Sequence, residues 1–151
     1  MPATLTHWLA VFVCGLASLA TALFYRALRS ASPARLEEIN RKRGLYGALP
    51  DFDNALIAAG WLKVSVYAAY AAAAAFLFFD ERGGGIVSYL SSVVFAAASL
   101  LAFEALALVA AGYHSGRFFY NLIPLVVALA ATGAAVRYVG RVAAGLVARV
   151  S

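Results

Sequence analysis

Charge is scarce in this chain. Only 13% of its 151 residues are Asp, Glu, Lys or Arg, while 64% are hydrophobic. A soluble domain carries about a quarter charged residues and about half apolar ones. An extended water-facing surface is therefore excluded, and a mean hydropathy of +0.85 points to a bilayer. Cysteine occurs once, as Cys14 within an apolar run, so no intrachain disulfide and no thiolate metal centre can form. The two histidines, His7 and His114, lie toward opposite ends. No Ser–His, His–Glu–His or paired-aspartate arrangement accompanies them, so the chain is not expected to be an enzyme. No Lys or Arg precedes the first apolar run. A secretory leader normally opens with a basic segment, so a retained helix is expected even though "LATA" (19–22) resembles a cleavage site. Internal repeats are also lacking.

What remains is apolar sequence in long blocks. A bilayer core about 30 Å thick needs about 20 apolar residues per helix. Runs at about 5–25, 55–79 and 86–111 meet that requirement; about 118–149 is long enough but interrupted by charge. Arg26, Arg29, Arg35, Arg41, Lys42 and Arg43 fall between the first two runs, whereas "DERGGG" (80–85) carries Arg82 beside Asp80 and Glu81. The positive-inside rule puts the first connection in the cytoplasm and the N-terminus outside. The third span then delivers Tyr113, His114 and Arg117 to the cytoplasmic side.

A fourth crossing would carry Arg137, Arg141 and Arg149 outside. Their spacing by four and eight stacks them on one helical face, with Val and Leu on others, as an interfacial helix on an anionic inner leaflet requires. Pro124 is expected to break or kink this segment near its start. The expected fold is all-α and integral to the membrane. It has three transmembrane helices, a cytoplasmic connecting helix and an amphipathic juxtamembrane C-terminal helix, in a single domain over 1–151.

"SPARLEEINRKRG" (32–44) reads as that connecting helix. Ser32 can N-cap, Pro33 suits the first helical position, and Gly44 can close the helix. Glu37 with Arg41 and Glu38 with Lys42 are i,i+4 pairs in the favourable order, and Leu36 and Ile39 supply apolar contacts. Asp53 or Asn54 offers a cap for the second span.

Few polar residues lie inside the spans. Ser18 and Thr21 in the first, Ser65 in the second, and Ser88, Ser92 and Ser99 on one face of the third read best as helix packing. Lys63 and Glu104 differ, since a charge near the bilayer centre costs about 3 kcal/mol and is usually paired. At 1.5 Å per residue, Lys63 lies about 12 Å in from the cytoplasmic start of its span, and Glu104 about 27 Å in from the outer start of its own. Both fall in the inner half, so they can form an ion pair; alternatively Lys63 snorkels to the surface.

"TALFYRALRSASPARLEEI" (21–39) is similar to the stretch that follows the first span in the CNNM/CorC family of magnesium transporters, usually of the form "TAL-S-LS-R-RLEEL". "FEALAL" (103–108) resembles that family's "FGE-x-x-Pro-Lys". The resemblance implies three spans, an outside N-terminus, a cytoplasmic helical belt, a juxtamembrane helix leading to regulatory CBS domains, and a homodimer in a bacterial inner membrane. It also implies Glu104 as a metal ligand, with Ser18 and Ser65 as further ligands of a transported Mg2+. The family's Pro-Lys falls here on Ala107 and Leu108. Its "GNN-x-x-N" falls on "GWLKVS" (60–65), with Trp61 and Leu62 in place of asparagines and Ser65 at the last one.

Two functions follow. One is divalent-cation transport or efflux, of magnesium or cobalt, around Glu104. The other is a non-transporting membrane scaffold or assembly subunit that kept the fold and lost the ion site. The formal net charge of +5 invites nucleic acid as a partner, but the arginines flank apolar spans, so anionic lipid is expected and nucleic acid is not.

Overall fold

The computed structural model describes residues 3–32, 34, 37–38, 41–42, 52–82 and 85–150. They form three long helices: α1 (Ala3–Ser30), α2 (Phe52–Arg82) and α3 (Ile86–Val150). No strand occurs among the described residues. Four segments are long and apolar enough to cross a membrane, Leu5–Ser30, Phe52–Phe79, Ile86–Ala110 and Pro124–Val142, and no more than 28% of any of these windows is buried. Large apolar side chains such as Trp8, Phe12, Phe76, Ile86 and Leu101 face outward. A water-soluble monomer does not leave so much apolar surface bare. The chain is a helical membrane protein.

Several boundaries differ from the sequence reading. α1 runs to Ser30, where the Ala31 amide donates to the Ala27 and Leu28 carbonyls, so Arg26 is inside the helix. α2 starts at Phe52, which puts Asp53 in its first turn rather than at its cap. A carboxylate there still favours the helix N-terminus. Pro124 does not break α3, which continues through it. Proline removes one backbone donor, and apolar helices tolerate this because neighbouring groups re-satisfy the freed carbonyl. The fourth apolar segment qualifies because Arg137 and Arg141 fall near its C-terminal end.

Gly85 opens α3. Its φ of 135° is in a region that side chains disfavour, and its carbonyl accepts the Tyr89 amide at 3.0 Å. In the connection, Ser32 precedes the helical residues Ala34, Glu37, Glu38, Arg41 and Lys42, and Lys42 Nζ donates to Glu38 Oε1 at 2.6 Å. Both side chains are exposed, so the pair contributes only about 0.3–0.5 kcal/mol. Pro33, Leu36, Ile39 and Gly44, and the side chains of Tyr113, His114, Arg117 and Arg149, lie outside the described residues.

The chain forms two compact units, each built from separated stretches. One comprises Met1–Arg26 and Leu62–Tyr113, the other Ala27–Trp61 and His114–Ser151. The first unit buries Val11, Tyr70, Ala74, Leu77 and Ala96, with Cys14, Phe95 and Phe103 packed against them. Tyr70 meets Phe103 edge-on at 5.8 Å, and Phe95 lies between Tyr70 (6.5 Å) and Phe78 (5.5 Å). Small residues make room for these rings; a Cβ on Gly15 would already lie 3.4 Å from Tyr70. Ser88 and Ser92 are buried on α3, and the Ser92 and Ser99 hydroxyls donate to the carbonyls of Tyr89 and Phe95, so neither adds an unsatisfied donor.

In the second unit, Val126, Leu129, Ala130 and Gly133 are buried. Their i, i+3, i+4, i+7 spacing is one helical face. Gly133 sits so close to the Asn54 backbone that a Cβ would collide with that carbonyl. Gly133→Ala is therefore expected to lower Tm in detergent, by about 1–3 kcal/mol of overpacking. Gly140→Ala, where nothing lies within 4 Å, should leave Tm unchanged or raise it, since alanine is favoured over glycine in a helix by about 1 kcal/mol. Equal losses at both sites would rule out the close helix approach.

Candidate functional site

The polar cluster of the first unit gathers one or two side chains from each helix. α1 brings Tyr25 and Arg26, α2 brings Lys63 and Tyr67, and α3 brings Glu104. Lys63 and Tyr67 are four residues apart, hence on the same face of α2. Lys63 Nζ forms an ion pair with Glu104 Oε1. The Tyr67 hydroxyl donates to the same oxygen at 2.7 Å, and Arg26 Nε donates to Oε2 at 3.2 Å. The Lys63 ammonium also lies 4.9 Å from the centre of the Tyr25 ring and 5.3 Å from that of Tyr67. At these separations ring faces attract a cation, more strongly where water is excluded.

Both oxygens of the carboxylate are thus engaged. The side chains of Glu104 and Lys63 are 21% and 18% exposed, and that of Arg26 is 35% exposed. With two cations against one carboxylate, the cluster carries a surplus positive charge. Chemically it is a satisfied acceptor held by fixed donors, with no free carboxylate oxygen aimed into an open space.

The other expected ligands are not gathered here. Ser65 is exposed; two residues from Lys63, it is turned about 200° around α2. Ser18 is fully buried, and its Oγ has no hydrogen-bond partner among the described residues. Thr21 Oγ1 donates to the Ala17 and Ser18 carbonyls, a bond within α1. No group of three or more His, Cys, Asp or Glu that could hold a metal occurs among the described residues. A hard divalent cation takes six or more oxygen ligands; one carboxylate already bound by an ammonium, a guanidinium and a phenol is a poor start.

Arg26, Tyr25 and Tyr67 were not read from the sequence as parts of this site. Arg26 counted there only as one of the basic residues flanking the first span. The i,i+4 relation of Tyr67 to Lys63 was the available signal. Arg26 gave none, because the ion pair crosses between helices 78 residues apart in sequence.

Comparison with protein-family models, curated proteins and solved structures finds no match for this chain.

Removing either half of a buried pair leaves the other half uncompensated. Glu104→Gln leaves Arg26 and Lys63 facing each other, whereas Lys63→Met leaves Glu104 still bound by Arg26. Glu104→Gln should therefore destabilise, by about 3 kcal/mol for an unpaired buried charge, and Lys63→Met by clearly less, because a balanced Arg26–Glu104 pair remains. The double variant Lys63→Met with Glu104→Gln should recover part of the loss, a coupling that a double-mutant cycle of thermal unfolding measures. Strict additivity would mean the pair contributes nothing.

Proposed function

We propose that this chain is a membrane-embedded scaffold or assembly subunit of CNNM/CorC-like architecture, in which the acidic position of α3 serves helix association rather than ion transport. The observation that carries this reading is the saturation of Glu104 by Lys63, Arg26 and Tyr67. A transported dication would have to displace an ammonium and a guanidinium already fixed on the one carboxylate that the described residues bring to the cluster. The substitutions at Trp61, Leu62, Ala107 and Leu108 relative to the family pattern lead the same way. Cation transport around Glu104 is the reading this one competes with.

The proposed topology has three crossings, with the N-terminus outside and residues 124–142 along the inner face. The Gly133–Asn54 approach supports it. Asn54 lies in the first turn of α2, at the edge of its apolar window, while Gly133 lies in the middle of Pro124–Val142. A crossing helix would bring middle to middle; a helix lying at the surface brings its middle to another helix's end. The placement of Arg137 and Arg141 agrees, since an anionic inner leaflet attracts basic residues.

Two measurements test these readings. Thermal unfolding in detergent should show no rise in Tm on adding millimolar magnesium, because a ligand stabilises only a state that binds it. A magnesium-dependent rise that disappears in Glu104→Gln would establish a cation site and defeat the scaffold reading. For topology, single cysteines placed at Ala3 and Ser151 in a Cys14→Ser background are expected to label from opposite faces, Ala3 from outside and Ser151 from inside. Outside labelling at Ser151 would make the fourth segment a crossing.

A further inference from the structure

We propose that Arg26, backed by Lys63, binds the phosphate of an anionic lipid of the inner leaflet, with Glu104 as the fixed counter-charge that positions both cations. The inference rests on the membrane-embedded reading above, and not on whether an ion is transported.

The argument begins with charge. Arg26 and Lys63 bring two positive charges and Glu104 one negative charge, so one positive charge is left over beside hydrocarbon. An uncompensated charge in that setting is unfavourable, so an anion gains by settling there. Lys63 is largely committed, to the carboxylate and to two ring faces. Arg26 is not. Its guanidinium carries five donors, of which only Nε is used, on Glu104 Oε2. The terminal nitrogens have no acceptor among the described residues. Using Nε on Glu104 leaves over the terminal donors of a side chain that is 35% exposed. A planar fork of donors matches two oxygens of a phosphate.

Position then selects the source of the phosphate. Arg26 is the most exposed charged member of the cluster and stands four residues before the end of α1 at Ser30. On the proposed topology that end is the cytoplasmic interface, where lipid phosphates are dense and soluble anions must compete with them. Tyr25 beside it is the kind of residue enriched at headgroup level.

The test uses the full chain in neutral detergent, with Tm and native mass spectrometry followed as phosphatidylglycerol, phosphatidylcholine or inorganic phosphate is titrated. Phosphatidylglycerol should form retained adducts and raise Tm; phosphatidylcholine should do so weakly and inorganic phosphate not at all. Arg26→Gln should weaken the phosphatidylglycerol response about fivefold, the effect of one basic residue near an anionic leaflet. It leaves a neutral Lys63–Glu104 pair, so its Tm in phosphatidylcholine should equal or exceed that of the wild type. Arg141→Gln should keep the full response. If Arg26→Gln does not fold, Arg26→Lys carries the test: weaker phosphatidylglycerol binding is expected, and undiminished binding overturns the role of the guanidinium. An equal Tm loss in all three titrations would make Arg26 a structural partner only. An equal Arg26-dependent shift with inorganic phosphate would make the ligand a soluble anion. An equal loss in Arg141→Gln would reduce the effect to diffuse surface charge. Each of these outcomes overturns the proposal. The magnesium response, read separately, reports on the scaffold reading alone.

Discussion

A carboxylate cannot stand by itself among apolar helices, and the way Glu104 is compensated constrains the rest of the first unit. Leu, Val and Ala surfaces attract one another little when the alternative partner is an equally apolar lipid tail. Such contacts leave helix rotation and sliding poorly defined. The Glu104 cluster removes that freedom, because each of α1, α2 and α3 must present a particular side chain to the same two oxygens. One residue of slippage turns a helix by about 100° and carries its contributor away. Buried charge is weak evidence for stability; its return here is a single register for three otherwise smooth helices.

The apolar packing is built to accept that register. Gly15 lets the Tyr70 and Phe103 rings close against α1, and Phe103 is the residue immediately before Glu104. The rings therefore fix the rotation of α3 one step from the carboxylate. Tyr67 and Tyr70 lie on neighbouring faces of α2, one reaching the carboxylate and the other entering the apolar core. Along α2 and α3 the two compact units change over between Trp61 and Leu62 and between Tyr113 and His114. Each long helix thus serves two different packing problems, and a membrane-length count of apolar residues describes only part of either.

Much of this was legible in the sequence, for identifiable reasons. Apolar run length gave the all-α membrane class because hydrocarbon forces long helices. Rise per residue let Lys63 and Glu104 reach the same level, and the structure pairs them. Helix boundaries were less legible: Asp53 looks like a cap in sequence, yet α2 already begins at Phe52. Pro124 looks like a break or a kink; the break does not occur, since a missing donor is a smaller penalty than ending a helix in an apolar setting. Arg26 shows the limit most clearly. A basic residue after an apolar run reads as a topology signal, and only tertiary geometry distinguishes it from a partner of Glu104. Gly133 is similar, since one glycine among alanines gives no hint of the backbone it meets at Asn54.

The charge balance links the proposed scaffold role to the resemblance that prompted the opposite expectation. A magnesium ion would bring two positive charges to an acidic position in α3. Lys63 and Arg26 bring two fixed positive charges to Glu104. The field that the carboxylate would offer a dication is already met, and an arriving dication would be repelled by both side chains at short range, where low dielectric makes repulsion strong. Lys63 lies within "GWLKVS", the stretch that the resemblance sets against the family's asparagines. On the proposed reading, neutral oxygen donors have given way to an internal cation, and a position that would bind and release an ion has become one that holds three helices together. Such a change keeps the same requirement for a buried negative charge while removing the vacancy that transport needs. It also leaves one positive charge in excess, carried by Arg26 one turn from the end of α1, which the proposed topology sets at the membrane surface, where an anion from outside the protein can complete the balance.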